Sequence, residues 1–504
     1  MLQPDVRHRA MSGRVLRASL ALGLIAEAAL NGPAFGVGVP VVVMSVLTAG
    51  WWVRRRGRAL DPLDAWLPVT AVAVALFVAI RADPTLAVLN GALASALVGA
   101  SLAAMSGLAV RRRSAAVIVT MAVWGLGAVL LGTAAAIRLV RPDRGSLPRT
   151  VPDWVGPIAR GLILGLPLAA IFVVLFASAD PIFRDGITDL LGFRLDLGDL
   201  PGRAWFVLSA AWLLGGAISI AATGIPDVER SSLGAAVNAG RLVVRGTLGL
   251  AEALVILAVV EVVFGGFVVL QVGYLFGGLD TLQAAGIPYA QYARRGFFEL
   301  VAAVCLASGI VVALEATIAH RTRLYLAAVA MLIGLTAVVL ASAALRLGLY
   351  QAAYGWTELR LYVFATIVTM GVGLAAMLGL VLAHQSRWLP HGLAGLGIVA
   401  VIGLSLLSPA AFVAARNIER VIDPSLVPPD GHSGLDAAYL AVLPDDAIPV
   451  LVDAVARLPN REASDVLAIL RARREVLEAD GAFNSPFSWN LGRERARSAL
   501  STLP

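Results

Sequence analysis

The chain has 504 residues, of which 59% are hydrophobic and only 14% are charged, and its mean hydropathy is +0.83. Soluble globular proteins carry about 45–50% apolar and about 25% charged residues. So apolar a chain cannot cover itself with a polar surface in water, which argues against a soluble enzyme, a disordered protein and a nucleic-acid-binding domain. The composition predicts an all-α polytopic membrane protein whose main partner is the lipid bilayer.

The net charge of +7 is unevenly distributed, and all 40 basic residues are arginine. Residues 1–413 hold 30 Arg against 20 acidic residues, whereas residues 414–504 hold 10 Arg against 13. The positive excess therefore lies with the apolar segments, where basic loops set the orientation of membrane helices. We expect no nucleic-acid partner despite the high pI. The absence of lysine, together with abundant Ala, Gly, Val and Leu, indicates a GC-rich bacterial genome.

Apolar stretches long enough to cross a membrane recur along the first 413 residues. A crossing helix needs about 20 mostly apolar residues, because the hydrocarbon layer is about 30 Å thick. The first stretch resembles a signal peptide, but eleven further spans favour an uncleaved first helix. The twelve predicted segments are roughly 15–31, 34–53, 63–80, 85–110, 114–137, 158–178, 204–222, 246–276, 297–319, 324–345, 361–383 and 391–413.

Arginine clusters at 54–58, 111–113, 138–160 and 320–323 each mark a cytoplasmic loop by the positive-inside rule. They cannot all be inside if every span crosses once, because a single crossing over 114–137 would join two inside loops. Either one of the first five segments is re-entrant or interfacial, or the 111–113 cluster violates the rule. The later clusters place the acidic 179–203 loop and the C-terminal tail outside.

The composition becomes polar from residue 414, which predicts a second unit over 414–504. Residues 421–434 contain several Pro and Gly and read as a linker. Helical periodicity follows over 445–458 and 462–478, and a basic helix is expected over 490–503. The sequence thus predicts a membrane domain, 1–413, followed by a linker and a small soluble helical domain.

Seven short stretches, taken in order, resemble the bacterial integral-membrane family labelled domain of unknown function 4173, which is close to the one labelled 4153. The resemblance runs from about residue 160 to 497 and implies a fold and a membrane location, but no activity and no catalytic residues. The stretches are Ala179–Phe183, Tyr274–Gly278, Tyr292–Leu300, Tyr354–Arg360, Ala415–Arg420, Asp446–Pro449 and Ser488–Leu491.

Two loops combine aromatic residues, arginine and glutamate. Arg294 and Arg295 precede Phe297 and Phe298, and Glu299 lies one helical turn after Arg295. One interpretation is an interfacial anchor, with an ion pair shielding Glu299 at the membrane edge. The other is a site for an anionic lipid headgroup or a phosphate. A second loop repeats the pattern with its own acid and base, Glu358 and Arg360.

Acidic residues inside predicted spans are the second class of candidate. A carboxylate in hydrocarbon costs several kcal/mol and therefore faces the bundle interior, takes a partner or stays protonated. Glu261 lies midway along 246–276 and is interpreted either as a neutral acid hydrogen-bonded across a helix interface or as a proton- or cation-handling group. Glu315, near the end of its span, is expected to reach the membrane interface.

The catalytic motifs we searched for are absent, so we predict no catalytic residue, no metal and no cofactor. Asp180 lies in the 179–203 loop and is a candidate polar site, although an acidic outer loop explains it equally well. We expect a polytopic protein of the bacterial cytoplasmic membrane with a transport or envelope-associated role. The alternatives are a membrane enzyme acting on a lipid-linked substrate and a scaffold or sensor with an envelope protein as its partner.

Overall fold

The computed structural model describes residues 4–54, 61–106, 207, 210, 211, 213–215, 217, 218, 250–276, 297–318, 321–428, 431, 432 and 434–503. Within these residues the secondary structure consists of helices, with no strand among its elements. The prediction of an all-α fold is therefore confirmed for this part of the chain. Three hydrophobic clusters organise it: one in the N-terminal helices, one in the central helices and one in the tail.

Four antiparallel helices form the N-terminal cluster: α1 (Pro4–Leu30), α2 (Gly38–Val53), α3 (Trp66–Ile80) and α4 (Pro84–Met105). Asp83 caps α4, because its side chain accepts hydrogen bonds from the N–H groups of Thr85 and Leu86. Pro84 supports the same start, since its fixed φ suits the first helical position. The turn between α3 and α4 is thereby held tightly and presents a buried carboxylate.

The central cluster contains α5 (Leu250–Phe276), α6 (Phe297–Thr317), α7 (Arg323–Tyr354), α8 (Glu358–Leu382) and α9 (Leu389–Leu407). The 32 residues of α7 span about 48 Å at 1.5 Å per residue, well beyond the hydrocarbon thickness. The sequence prediction ended this span at residue 345, so the helix is longer than predicted. Its last turns project toward the tail.

In the described part of the chain, four helices are long and apolar enough to cross a membrane: α4, α7, α8 and α9. Shorter apolar segments are α2, α3, and parts of α5 and α6. Two predicted segments, 114–137 and 158–178, lie outside the described residues, and only part of 204–222 lies within them. Twelve spans therefore remain a prediction, whereas apolar helices of membrane-spanning length are a feature of the fold.

The last predicted segment, 391–413, is divided by a corner at Ser408. Helix α9 ends at Leu407, and Ser408 adopts a left-handed conformation with φ of 57° before α10 (Pro409–Ile422) begins. The corner arises because Pro409 cannot donate a backbone hydrogen bond and disfavours helical geometry at the residue before it. Helix α10 is amphipathic and joins the tail cluster, which also includes Leu361 of α8.

The tail continues through α11 (Ala437–Ala441), α12 (Ile448–Ala454), α13 (Asn460–Ala479) and α14 (Leu491–Leu500). Short 3-10 turns at Pro424–Leu426, Asp445–Ala447, Val455–Arg457, Gly481–Asn484 and Pro486–Ser488 connect or extend these helices. The helical patterns that the sequence predicted in the tail agree with this arrangement. The tail has its own core but also packs directly against the ends of the membrane helices.

Candidate functional site at the tail–helix junction

The tail contacts the helix ends at three places: the 31–37 turn, residues 78–83 and residues 351–358. We call this contact region the junction. The sequence predicted a linker and a small soluble helical domain over 414–504, and did not predict how this tail would contact the helices. The junction fixes the tail to the bundle through side chains that hydrogen-bond to backbone groups.

Asn417 of α10 binds the backbone of Trp356 in two directions. Its Oδ1 accepts from the Trp356 N–H at 2.8 Å, and its Nδ2 donates to the Trp356 carbonyl at 2.9 Å. Gly355 permits this approach, because it has a φ of +75° and an added Cβ would lie 2.8 Å from the Asn417 Oδ1. The α7–α8 turn and α10 are therefore locked together in one geometry.

Arg420 closes the end of α7 from the tail side and is 8% exposed. Its guanidinium donates to the carbonyls of Ala352 at 2.6 Å and His432 at 3.1 Å, with longer bonds to Gln351 and Ala353 at 3.4 Å. A helix C-terminus carries unsatisfied carbonyls and a partial negative charge, which favour a cation there. Burial, followed by the nearby Arg360, lowers the pKa of Arg420.

The α3–α4 turn is bound by tail residues distant in sequence. The Ala82 N–H donates to Asp446 Oδ2 at 2.8 Å, while Asn490 Nδ2 donates to the carbonyls of Val78 at 2.9 Å and Arg81 at 2.8 Å. Arg81 itself donates to the carbonyls of Ser405 and Leu406 at the end of α9. One turn is thus connected to α9 and to two parts of the tail.

A cluster of carboxylates lies inside the junction; we call Asp83, Glu358 and Asp446 the carboxylate cluster. Asp83 Oδ2 accepts from the Tyr362 hydroxyl at 2.8 Å, and Glu358 faces Asp83 and Asp446. The Glu358 backbone N–H donates to the Tyr439 hydroxyl at 2.7 Å, while its Oε1 is buried with no hydrogen-bond partner among the described residues. Neighbouring carboxylates repel when both are ionised, so such a group favours holding a proton.

Asp446 is the member of the cluster that lies in the tail. Burial raises its pKa from the ordinary value of 3.8 to about 6, and the charges of Asp83 and Asp445 act in the same direction. The Ala82 N–H and Arg81 act in the opposite direction without cancelling the effect of burial. Asp445 is itself paired with Arg473 at 2.7 Å. The contact between tail and turn therefore includes a group that titrates near neutral pH.

A second polar centre lies at the helix ends that are opposite the junction. Glu315 near the end of α6 is buried, accepts from the Tyr325 hydroxyl at 3.0 Å and pairs with Arg321 at 2.8 Å. It also accepts a hydrogen bond from Ser386 in the α8–α9 turn. These three partners satisfy Glu315 within the protein and join three helix ends, and its expected position at the membrane interface stays a prediction.

Glu261 lies in the middle of α5, as predicted, and is 7% exposed. Its Oε1 is buried without a hydrogen-bond partner among the described residues. An added Cβ at Gly265, one turn further along α5, would have no neighbour within 4 Å. Glu261 therefore carries a polar atom that the described part of the chain leaves unsatisfied, although a buried carboxyl normally finds a partner.

Arg360 is half-buried beside the end of α7. Its Nη1 donates to the carbonyl of Gly355 at 2.6 Å, and its guanidinium lies 4.0 Å from the centre of the Tyr350 ring. It stabilises the end of α7 beside Arg420. Glu358 points into the carboxylate cluster, so both of these predicted residues contribute to the junction.

The remaining predicted site residues lie outside what the structure describes. Asp180, Arg294 and Arg295 fall in undescribed segments, and only the backbone of Glu299 is described, in the first turn of α6. Their grouping stays a prediction. Among the described residues, no set of three His, Cys, Asp or Glu side chains is arranged to hold a metal ion.

Sequence reasoning missed Asp83, Asn417 and Arg420 as partners, although a signal was present. Four of the seven stretches that carry the family resemblance meet at the junction: Tyr354–Arg360, Ala415–Arg420, Asp446–Pro449 and Ser488–Leu491. Treating these stretches as one surface would have predicted their contact. Asp83 precedes Pro84 as a helix cap, a pattern that predicts a helix start but not a cluster.

These features define a class of helical proteins in which apolar helices of membrane-spanning length carry a tail fixed to their ends. The chain belongs to the family described as domain of unknown function (DUF4153), whose sequence profile matches residues 69–454. This is the neighbouring label to the one that the sequence resemblance suggested, and the match starts earlier, so that it includes Asp83. No curated protein and no solved structure matches the chain.

Proposed function

We propose that the chain is a multi-pass protein of the bacterial cytoplasmic membrane with its tail on the extracytoplasmic side. Arg54 follows α2, and Arg321 and Arg323 flank the start of α7, all at helix ends opposite the junction. Further arginines, Arg55, Arg56 and Arg58, continue the first of these groups in the sequence. The positive-inside rule assigns those ends to the cytoplasm.

This arrangement also bears on the conflict among the arginine clusters. Helices α1 to α4 run alternately, so the ends at Arg54 and Met105 lie on the same side and the clusters at 54–58 and 111–113 agree with each other. The 138–160 cluster then requires its own explanation in the undescribed part of the chain.

Reporter fusions test the orientation. Alkaline phosphatase fused after Leu503 is expected to be active, while the same enzyme fused at Arg56 is expected to be silent. A cytoplasmic reporter should give the reverse pattern. An active cytoplasmic reporter after Leu503 would contradict the proposed side of the tail.

Within this setting, we propose a transport role in which Glu261 handles protons or small cations. The observation that carries it is that the buried Glu261 Oε1, in the middle of an apolar helix, has no hydrogen-bond partner among the described residues. Ionisable groups inside membrane segments commonly mark ion pathways or proton relays. An enzyme acting on a lipid-linked substrate would need access to paired acids, whereas the carboxylate cluster is covered by the tail. A freely moving scaffold domain fits poorly with a tail that contacts the helix ends at three places.

Flux measurements test this role. The purified chain reconstituted in liposomes with an enclosed pH-sensitive dye is expected to carry protons when a potassium diffusion potential is applied. Glu261→Gln should abolish the flux, and Glu475→Gln on the exposed surface of the tail should leave it unchanged. Equal flux in wild type and Glu261→Gln, or no flux above protein-free liposomes, would contradict the proposal.

A further inference from the structure

A small cleft opens where the start of α14 meets the preceding 3-10 turns. It has a cavity volume of about 120 Å³ and is lined by Phe483, Ser485, Trp489, Arg493, Glu494 and Arg497. The volume accommodates several water-sized groups. Two arginines and one glutamate give this lining a net charge of +1.

The arginines of the cleft are oriented by other contacts. Arg493 donates one hydrogen bond to the Ser488 carbonyl at 2.9 Å, and Arg497 lies 4.9 Å from the centre of the Phe483 ring. A guanidinium has five N–H donors in a planar fork, so one such bond leaves most donors available. Two guanidinium groups one helical turn apart suit the oxygens of a phosphate group.

With the membrane location proposed above, the cleft lies at the level of the membrane surface, beside the ends of α1, α2 and α3. The Trp489 carbonyl accepts from the Val37 N–H at 3.0 Å in the turn between α1 and α2, and Asn490 binds the end of α3. Two large aromatic side chains are exposed beside it, Phe35 at 60% and Trp489 at 45%. Aromatic residues at this level typically sit among lipid headgroups.

We propose that this cleft binds the phosphate group of an anionic lipid headgroup. Arg493 and Arg497 contact the phosphate oxygens, and Trp489 and Phe35 contact the glycerol and upper acyl region. The site shares no residue with the carboxylate cluster or with the Arg294–Glu299 candidates. It relies on the membrane location given above, but neither on the transport role nor on which side the tail occupies, because both leaflets offer phosphate headgroups.

Binding of short-chain phosphatidylglycerol to the detergent-purified full chain tests the site. We expect phosphatidylglycerol to bind at least about 10-fold more tightly than phosphatidylcholine with the same acyl chains. Arg493→Gln and Arg497→Gln should each weaken that binding about 10-fold. Arg495→Gln is the matched control, because this exposed arginine on the same helix is absent from the cleft lining.

Additional variants and ligands distinguish a loss of binding from a loss of folding, and they identify the source of the phosphate. Glu494→Gln should tighten binding, since it removes a negative charge beside the anion, and a purely structural role predicts no such gain. Arg497→Lys should retain part of the affinity, and thermal melting should show that the variants are folded. Equal weakening by Arg495→Gln, equal affinity for phosphatidylcholine, or equally tight binding of inorganic phosphate would overturn the lipid assignment.

Discussion

Asp446 shows how one residue can make the junction sensitive to pH. Its carboxyl is protonated more readily when the tail is docked, because burial raises its pKa to about 6. The docked state therefore binds more protons than the unfolded state between about pH 4 and pH 6. The contribution of Asp446 to the free energy of unfolding consequently falls as the pH rises through that window, and it is constant above it.

The change from this one group is at most about 3 kcal/mol, since one pKa unit corresponds to about 1.4 kcal/mol. We expect the thermal stability of wild type to fall more between pH 4.5 and pH 7.5 than that of Asp446→Asn, which keeps an acceptor for the Ala82 N–H. Asp453→Asn, on the exposed side of α12, should behave like wild type. An identical pH profile for wild type and Asp446→Asn would rule out Asp446 as the titrating group.

Glu261 and Arg360 differ in how far the sequence alone could predict their positions. The burial of Glu261 was predictable, because a carboxylate in an apolar run has few alternatives to the protein interior. The position of Arg360 was not, since the same aromatic and basic pattern suits a membrane anchor and a helix-end cap. Only the positions of the Gly355 and Tyr354 carbonyls distinguish the two roles.

Helix α14 packs so closely against the α3–α4 turn that one of its positions has no room for a side chain. Gly492 of α14 is buried, and an added Cβ would collide with the Asp446 carboxylate and lie 2.9 Å from the Ala82 nitrogen. We expect Gly492→Ala to destabilise docking by about 2 kcal/mol, because overpacking forces neighbouring groups apart. Thermal melting measures the effect. Gly481→Ala is the control, as nothing lies within 4 Å of its added Cβ, and equal loss in both variants would contradict this explanation.

The corner at Ser408 places a non-glycine residue in the left-handed region, at a cost of about 1–2 kcal/mol. Ser408→Gly should raise the melting temperature, because glycine adopts this conformation freely and the Ser408 hydroxyl has no hydrogen-bond partner among the described residues. Ser408→Val should lower it, since a β-branched side chain resists positive φ. A lower melting temperature for Ser408→Gly would mean that the serine hydroxyl has a structural role.

Helix boundaries were predictable where caps are local. Thr357 and Asp83 precede helices whose starts they cap, and the sequence placed both starts within a few residues. The end of α7 was misjudged because Arg346 and the following polar residues mark the end of an apolar run, not the end of a helix. Carbonyl contacts from Arg420 support those last turns, and such long-range partners leave no local pattern.

At the scale of the whole molecule, the tail behaves as a bound part of the bundle. The supposed linker is itself held, because the His432 N–H donates to the Ala353 carbonyl at 2.8 Å. Arg420→Gln should weaken docking by about 3 kcal/mol, since hydrogen bonds from a buried charged group are among the stronger ones. Limited trypsin digestion of the purified protein should then cut the tail at Arg457 and Arg461 sooner than in wild type.

Arg416→Gln is the matched control, because Arg416 lies on the same helix in an exposed ion pair with Glu419 and contributes little. Unchanged digestion of Arg420→Gln would show that the other contacts hold the tail without it.

The helical nature of both the bundle and the tail was predictable from periodicity. Their attachment was not, because it depends on backbone groups at turns, which carry no side-chain signature.

The hydrogen bonds from Asn490 to the end of α3 join residues 412 and 409 positions apart. During synthesis, α3 and α4 emerge and insert long before Asn490 and Asp446 exist, so the carbonyls of Val78 and Arg81 and the Ala82 N–H first face water. Docking is consequently a late step of maturation. The α3–α4 turn, which lies near the start of the chain, is completed only when the chain has been translated through α14, and the nascent protein exposes this unfinished surface to chaperones and proteases until then.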